Sequence, residues 1–159
     1  MVDVSIISAV SAVVAAVGVI VGVVFTVLEL RNLVKTRQTD LVVRLYSTRS
    51  GKDFQESWRK VMAKEHKDYH DYEKWYEWSD FIKVGVFFEG IGILLHRKLI
   101  DIRLVDDLFS YIIRTTWEKM KPIEENVRKH HNAPQIAEWF EYLYNEMQKR
   151  EQRLQQIQP

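Results

Sequence analysis

The chain has 159 residues, enough for one compact domain with its own core beside one further segment. Its 23 basic and 22 acidic side chains leave a formal net charge of +1, which provides no domain-wide basic field for nucleic acid. The absence of cysteine excludes disulfides, thiolate nucleophiles and cysteine-ligated zinc or iron–sulfur centres, and is compatible with a reducing compartment.

The first element is read from the distribution of charge. Asp3 is the only charged residue before Glu29, and the 25 residues from Val4 to Leu28 are mostly Val, Ile and Ala. As a helix rising about 1.5 Å per residue, this run is roughly 37 Å long, enough to cross a hydrocarbon layer with some tilt. Met1-Val2-Asp3 lacks the basic opening of a cleaved signal peptide, and the apolar run exceeds a signal core, so residues 1–28 read as a retained transmembrane anchor. Arg31, Lys35, Arg37 and Arg44 follow it closely. By the positive-inside rule they place the C-terminal domain in the cytoplasm and the N-terminus outside, in a single-pass protein of the cell membrane. The same four side chains suit anionic headgroups, so membrane lipids are expected partners.

Within the span, Ser8, Ser11, Ala15, Gly18 and Gly22 recur at spacings of three and four, and the last two form a GxxxG pair. Small side chains along one stripe let a second helix backbone approach closely, so this is the expected helix-association seam. A second copy of the chain and another membrane protein both fit that role.

Beyond Leu28, the residues Leu30, Leu33, Val34, Leu41, Val42 and Leu45 keep a helical period through Tyr46. Residues 29–47 should therefore continue the anchor as a stalk helix, ended by Ser47-Thr48-Arg49-Ser50-Gly51. Residues 48–150 read as a helical bundle of about four helices. Asp53 followed by Glu56 resembles a capping box opening a short helix with Phe54, Trp58, Val61 and Met62 on its apolar face, and polar Glu65 to Tyr72 should be a loop.

The next helix, from about Glu73 to His96, is apolar around its whole circumference and belongs in the centre of the bundle. Lys83 and Glu89 interrupt it too soon for a second membrane span. Another helix starts near Ile102 with Asp101 as its cap, carries Val105, Phe109, Ile112, Thr116, Met120, Ile123 and Val127 on one face, and should be kinked or divided at Pro122. Asn132-Ala133-Pro134 reads as the start of the last helix, with Ile136, Trp139, Phe140, Leu143 and Met147 buried, and residues 151–159 form a polar tail expected to fray. The fold class is all-α: one N-terminal transmembrane helix, a stalk and a small cytoplasmic bundle.

Glu89-Gly90-Ile91-Gly92-Ile93-Leu94-Leu95, Leu99-Ile100-Asp101, Val105-Asp106-Asp107-Leu108-Phe109, Trp117-Glu118-Lys119-Met120-Lys121-Pro122-Ile123 and Glu138-Trp139-Phe140-Glu141-Tyr142-Leu143 together are familiar. They resemble a family of unknown function in bacteria and archaea that joins an N-terminal membrane helix to a helical cytoplasmic domain. The resemblance covers most of the chain and implies architecture, with no activity or site residues attached.

Glu89 lies on the stripe Ile82, Val86, Ile93, which presents a carboxylate to the expected bundle interior. Unpaired burial would cost several kcal/mol, so a partner such as Arg114, a Tyr hydroxyl or a Trp indole is expected, with a proton-handling or ligand role as the rival. Gly85, Gly90 and Gly92 sit on a helix with no preceding strand, which indicates close helix packing rather than a phosphate loop.

His66 and His70 with Asp68 and Asp71, and the adjacent His130 and His131, do not match a helical metal-ligand pattern, and neither a metal nor a cofactor is expected. Asp106 and Asp107 point to different sides of a helix and read as a solvated cap region. Tyr69, Tyr72 and Tyr76 are the expected recognition patch. No nucleophile elbow, Walker loop or kinase set is present, so no enzyme is expected.

The leading functional expectation is a membrane-anchored interaction module, acting as a homo-oligomeric scaffold or as an accessory subunit of a larger membrane complex, without nucleic acid. The alternatives are a pore lined by several N-terminal helices, and a ligand sensor or enzyme built around Glu89.

Overall fold

The computed structural model describes residues 4–63 and 78–157, the side chains of residues 4–10, 12 and 157 excepted. Those residues form five helices: α1 (Val4–Ser50), α2 (Lys52–Ala63), α3 (Trp78–His96), α4 (Ile102–His131) and α5 (Glu138–Ile157). The expected loop from Glu65 to Tyr72, the start of α3 at Glu73, the His66 and His70 group and the Tyr69, Tyr72, Tyr76 patch lie outside the described residues. The chain divides into two units, residues 1–39 and 40–159, and α1 runs through both.

In the first unit, the side chains of α1 are exposed from Val13 to Arg37: Val14, Val19, Ile20 and Phe25 are each more than 60% exposed, residue 12 lying outside the described side chains. It is the one helix among the described residues long and apolar enough to cross a membrane, and none of its apolar window is buried. The hydroxyls of Thr26, Thr36 and Thr39 donate to the carbonyls of Gly22, Asn32 and Lys35 one turn earlier. A hydroxyl satisfied within its own helix leaves no polar group in need of water.

The second unit begins with the end of α1. Val42 is buried there, Leu41 and Leu45 pack against the core, and the rings of Tyr46 and Phe109 lie 6.4 Å apart. The helix continues to Ser50 and breaks at Gly51, where the expected stop falls. The expected capping box is not formed, because α2 starts one residue before Asp53, which sits inside the first turn. The break at Gly51 sets that start, with Gln55 N–H donating to the Gly51 carbonyl.

α3 packs on both α2 and α5, and α4 on α5. Its buried face is Phe81, Val84, Phe88, Ile91 and Leu95, whereas Ile82, Val86 and Ile93 are 45, 63 and 42% exposed. The stripe that carries Glu89 is therefore not the interior one. A helix apolar on all sides gives periodicity no means of choosing which face turns inward. On α4 the contrast between faces is strong, and Val105, Phe109, Ile112, Thr116, Met120, Ile123 and Val127 are all buried as the pattern indicates.

Phe140 ties the core together, stacked on Phe88 with ring centroids 4.6 Å apart and edge-on to Trp117 at 4.9 Å. Such pairs add roughly 1 kcal/mol each beyond the area they bury. Three ion pairs link α4 to α5: Arg114 with Glu151, Arg128 with Glu141 at 2.7 Å and Arg150 with Asp106 at 2.8 Å. Asp106 is thus half-buried and paired rather than solvated.

Helix ends follow local rules. Asp101 caps α4 by accepting from Arg103 N–H at 2.8 Å. Lys98 after α3 and Asn132 after α4 are left-handed, with φ of 57° and 50°. At the first, Leu99 N–H donates to Leu94 and Lys98 N–H to Leu95, the paired bonds of a Schellman ending. At the second, Ala133 N–H donates to Arg128 and Asn132 N–H to Lys129 in the same way.

Asn132 therefore closes α4 rather than opening the last helix, and left-handed Ala137, at φ 54°, delays α5 to Glu138. Pro122 does not divide α4, which runs unbroken through it, and one turn later Asn126 Nδ2 donates to the Pro122 carbonyl at 2.8 Å. α5 stays helical through Ile157, with Leu154 exposed near its end.

Candidate functional site

Two regions carry the candidate residues, one in each unit. On α1, Ser11 and Ala15 are exposed, and a Cβ added at Gly18 or Gly22 would meet nothing within 4 Å. The side chain of Ser8 lies outside the described residues. Arg31, Lys35, Arg37 and Arg44 are all exposed.

In the second unit, α3, α4 and the turn before α5 enclose an open cavity of about 450 Å³. Its walls are largely apolar, with Phe81, Ile82, Val86 and Val127 among them, and two carboxylates open into it, Glu89 from α3 and Glu124 from α4. Its volume is that of a small-molecule site, in which a few polar groups orient a ligand against apolar walls.

Glu89 is half-buried and accepts the main-chain N–H of Trp139 at 3.0 Å. Its partner is not Arg114, which pairs with Glu151 and Ser110, nor a Tyr hydroxyl or Trp indole. The first turn of a helix has N–H groups without partners in the helix, and α5 begins one residue before Trp139, so Glu89 caps α5 from across the interface. Gly92, one turn further along α3, makes this approach possible, since any Cβ there would collide with the Trp139 carbonyl. Burial raises the Glu89 carboxyl, opposed by the Trp139 and Phe140 amides and by Arg128, and reinforced by Glu138.

Glu124 is the more deeply placed of the two, only 5% exposed. Burial first, and the negative charge of Glu89 after it, push its carboxyl up to about 7 against the pull of Arg128. No hydrogen bond or ion pair reaches Glu124 among the described residues. Arg128 donates instead from Nε to the Ile136 carbonyl and from Nη1 to Glu141, both at 2.7 Å. The space beside Glu124 is held open by Gly85, where an added Cβ would lie 3.7 Å from Oε1 and 3.5 Å from Met120 Cε.

Sequence reasoning passed over Glu124, although a signal existed: it lies four residues after Met120 and three before Val127, on the buried stripe of α4. Asp80 was also passed over. It is buried, accepts Ser57 Oγ at 2.6 Å and Lys60 Nζ at 3.1 Å, and the Ser57 hydroxyl chiefly holds its carboxyl below the usual range. Ser57 is itself buried, so this group fastens α2 to α3. Trp58 adds a second fastening, its indole N–H donating to Thr116 Oγ1 at 2.8 Å.

Of the glycines on α3, Gly92 serves close packing, Gly85 borders the cavity and Gly90 has nothing within 4 Å of an added Cβ. The rings of His130 and His131 lie 5.0 Å apart, and among the described residues no three His, Cys, Asp or Glu side chains are grouped as metal ligands. One family model, described as a domain of unknown function (DUF4760), matches residues 6–147. Neither the curated proteins nor the solved structures contain a match.

Proposed function

The chain belongs to the DUF4760 family, and on that premise we propose that it is a membrane-anchored, non-catalytic interaction module whose helical domain lies in the cytoplasm. One observation carries this reading: the uncharged run of α1 is longer as a helix than the roughly 30 Å hydrocarbon core of a bilayer, and none of its apolar window is buried. An apolar helix left bare in water would cost tens of kcal/mol of unburied surface, and lipid removes that cost. The flanking Arg31, Lys35, Arg37 and Arg44 orient the chain, with the anionic leaflet as their partner.

Lateral association through Ser8, Ser11, Ala15, Gly18 and Gly22 completes the proposal, with a second copy or a larger membrane complex as the partner. The open space around Gly18 and Gly22 supports it, since a neighbouring helix backbone fits where no side chain projects. The test is extraction. The protein should stay with the membrane through alkaline carbonate, and a mild non-ionic detergent should release a particle larger than one chain. Gly18→Leu with Gly22→Leu should reduce that particle to the monomer. Release by carbonate overturns the anchor, and a monomeric particle with no co-purifying protein overturns the association.

A further inference from the structure

We infer that the cavity between α3, α4 and the turn before α5 is a binding site for a small amphipathic amine, whose ammonium group meets Glu89 and Glu124 and whose apolar body lies against Phe81, Ile82, Val86 and Val127.

Glu124 reaches the cavity from α4. As a residue it is 5% exposed, and a carboxylate so deeply placed normally has a partner, because burying one without any costs several kcal/mol. The nearby cation, Arg128, acts on Glu124 by charge without a hydrogen bond, its Nε and Nη1 given to Ile136 and Glu141. Its third nitrogen, Nη2, is buried and makes no hydrogen bond. The main-chain surroundings do not help either, since Gly85 leaves a gap beside Oε1 rather than a donor.

Glu89 brings a second carboxylate to the same cavity, and Glu138 adds negative charge beside it. Arg128 opposes them, but it is already paired with Glu141, so the field in the cavity favours a cation over carboxylates and phosphates. A hard metal ion would want six or more oxygen ligands, and the walls offer mainly hydrocarbon. A neutral apolar ligand would seal Glu124 away from water with no counter-charge. An amine on an apolar body satisfies both halves of the site, its N–H groups donating to the carboxylates and its hydrocarbon covering the exposed faces of Ile82 and Val86.

The test uses the full chain in non-ionic detergent micelles and isothermal calorimetry at pH 8, above the point at which Glu124 ionises. The probes are 4-phenylbutylamine and its alcohol counterpart 4-phenylbutanol, each corrected by titration into empty micelles. The amine should bind saturably and at least tenfold more tightly than the alcohol. Glu124→Gln, which removes a buried charge and leaves the side-chain volume, should bring the amine down to the alcohol's affinity, and Glu89→Gln should weaken the amine while sparing the alcohol. Circular dichroism melting confirms that each variant is folded. Equal binding of amine and alcohol, no saturable binding of the amine, or an amine preference that survives in folded Glu124→Gln overturns the inference.

Discussion

At the scale of the residue, Glu124 makes the stability of the domain depend on pH in a defined direction. In the folded state its carboxyl is pushed up to about 7, whereas unfolding returns it to 4.5. Between those values the folded protein holds a proton that the unfolded chain has released, so this group's contribution falls as pH rises through the interval. The full difference is about 3 kcal/mol. Glu124→Gln has nothing to ionise there, so the variant should match the parent near pH 5 and exceed it in melting temperature at pH 8. Differencing the two proteins removes the opposing contributions of Asp80 and Asp101, whose carboxyls are held low by Ser57 and Arg103. Thermal melts that superimpose at both pH values would show that the carboxylate carries no burial penalty. Glu89 drew notice in the sequence because it interrupts an apolar run. Glu124 did not, because Glu125 and Lys121 around it make the whole segment look charged.

At the scale of the element, legibility followed amphipathicity. α4 has a polar side and an apolar side, and its buried residues were readable from spacing alone. α3 has no such contrast, so its length could be read but not its orientation, and that placed Glu89 in the core rather than at a cavity wall. Breaks that depend on left-handed residues other than glycine, at Lys98, Asn132 and Ala137, left only weak signals in the sequence. The contact of α3 with α5 offers a paired test through two glycines of the same helix. Gly92→Ala drives a methyl into the Trp139 carbonyl and should cost at least about 2 kcal/mol in urea unfolding. Gly90→Ala meets open space and should stabilise by up to about 1 kcal/mol through helix propensity. Equal effects from the two would mean that the helices are not held as closely as Gly92 implies.

At the scale of the whole molecule, the apolar run and its basic flank are the features most plainly written in the sequence, because an unbroken uncharged stretch is read from consecutive residues alone. The cavity was not, since it is made by residues from α3, α4 and the turn before α5, whose juxtaposition no local pattern encodes. The cysteine-free chain makes orientation measurable without background. Tyr111→Cys, at a position 75% exposed in the helical domain, should resist a membrane-impermeant maleimide in right-side-out vesicles and react after detergent is added. Val2→Cys should react at once, and the opposite pattern would reverse the proposed orientation.

Glu89 is shared between two claims on one charge, since the oxygen that receives the Trp139 amide belongs to the group that borders the cavity. Whatever enters the cavity and draws on that carboxylate loosens the first turn of α5, and whatever tightens that turn withholds charge from the cavity. Occupancy and the order of the C-terminal helix are thereby linked by thermodynamic reciprocity, with the Trp139 amide as the place where hydrogen exchange would register the trade.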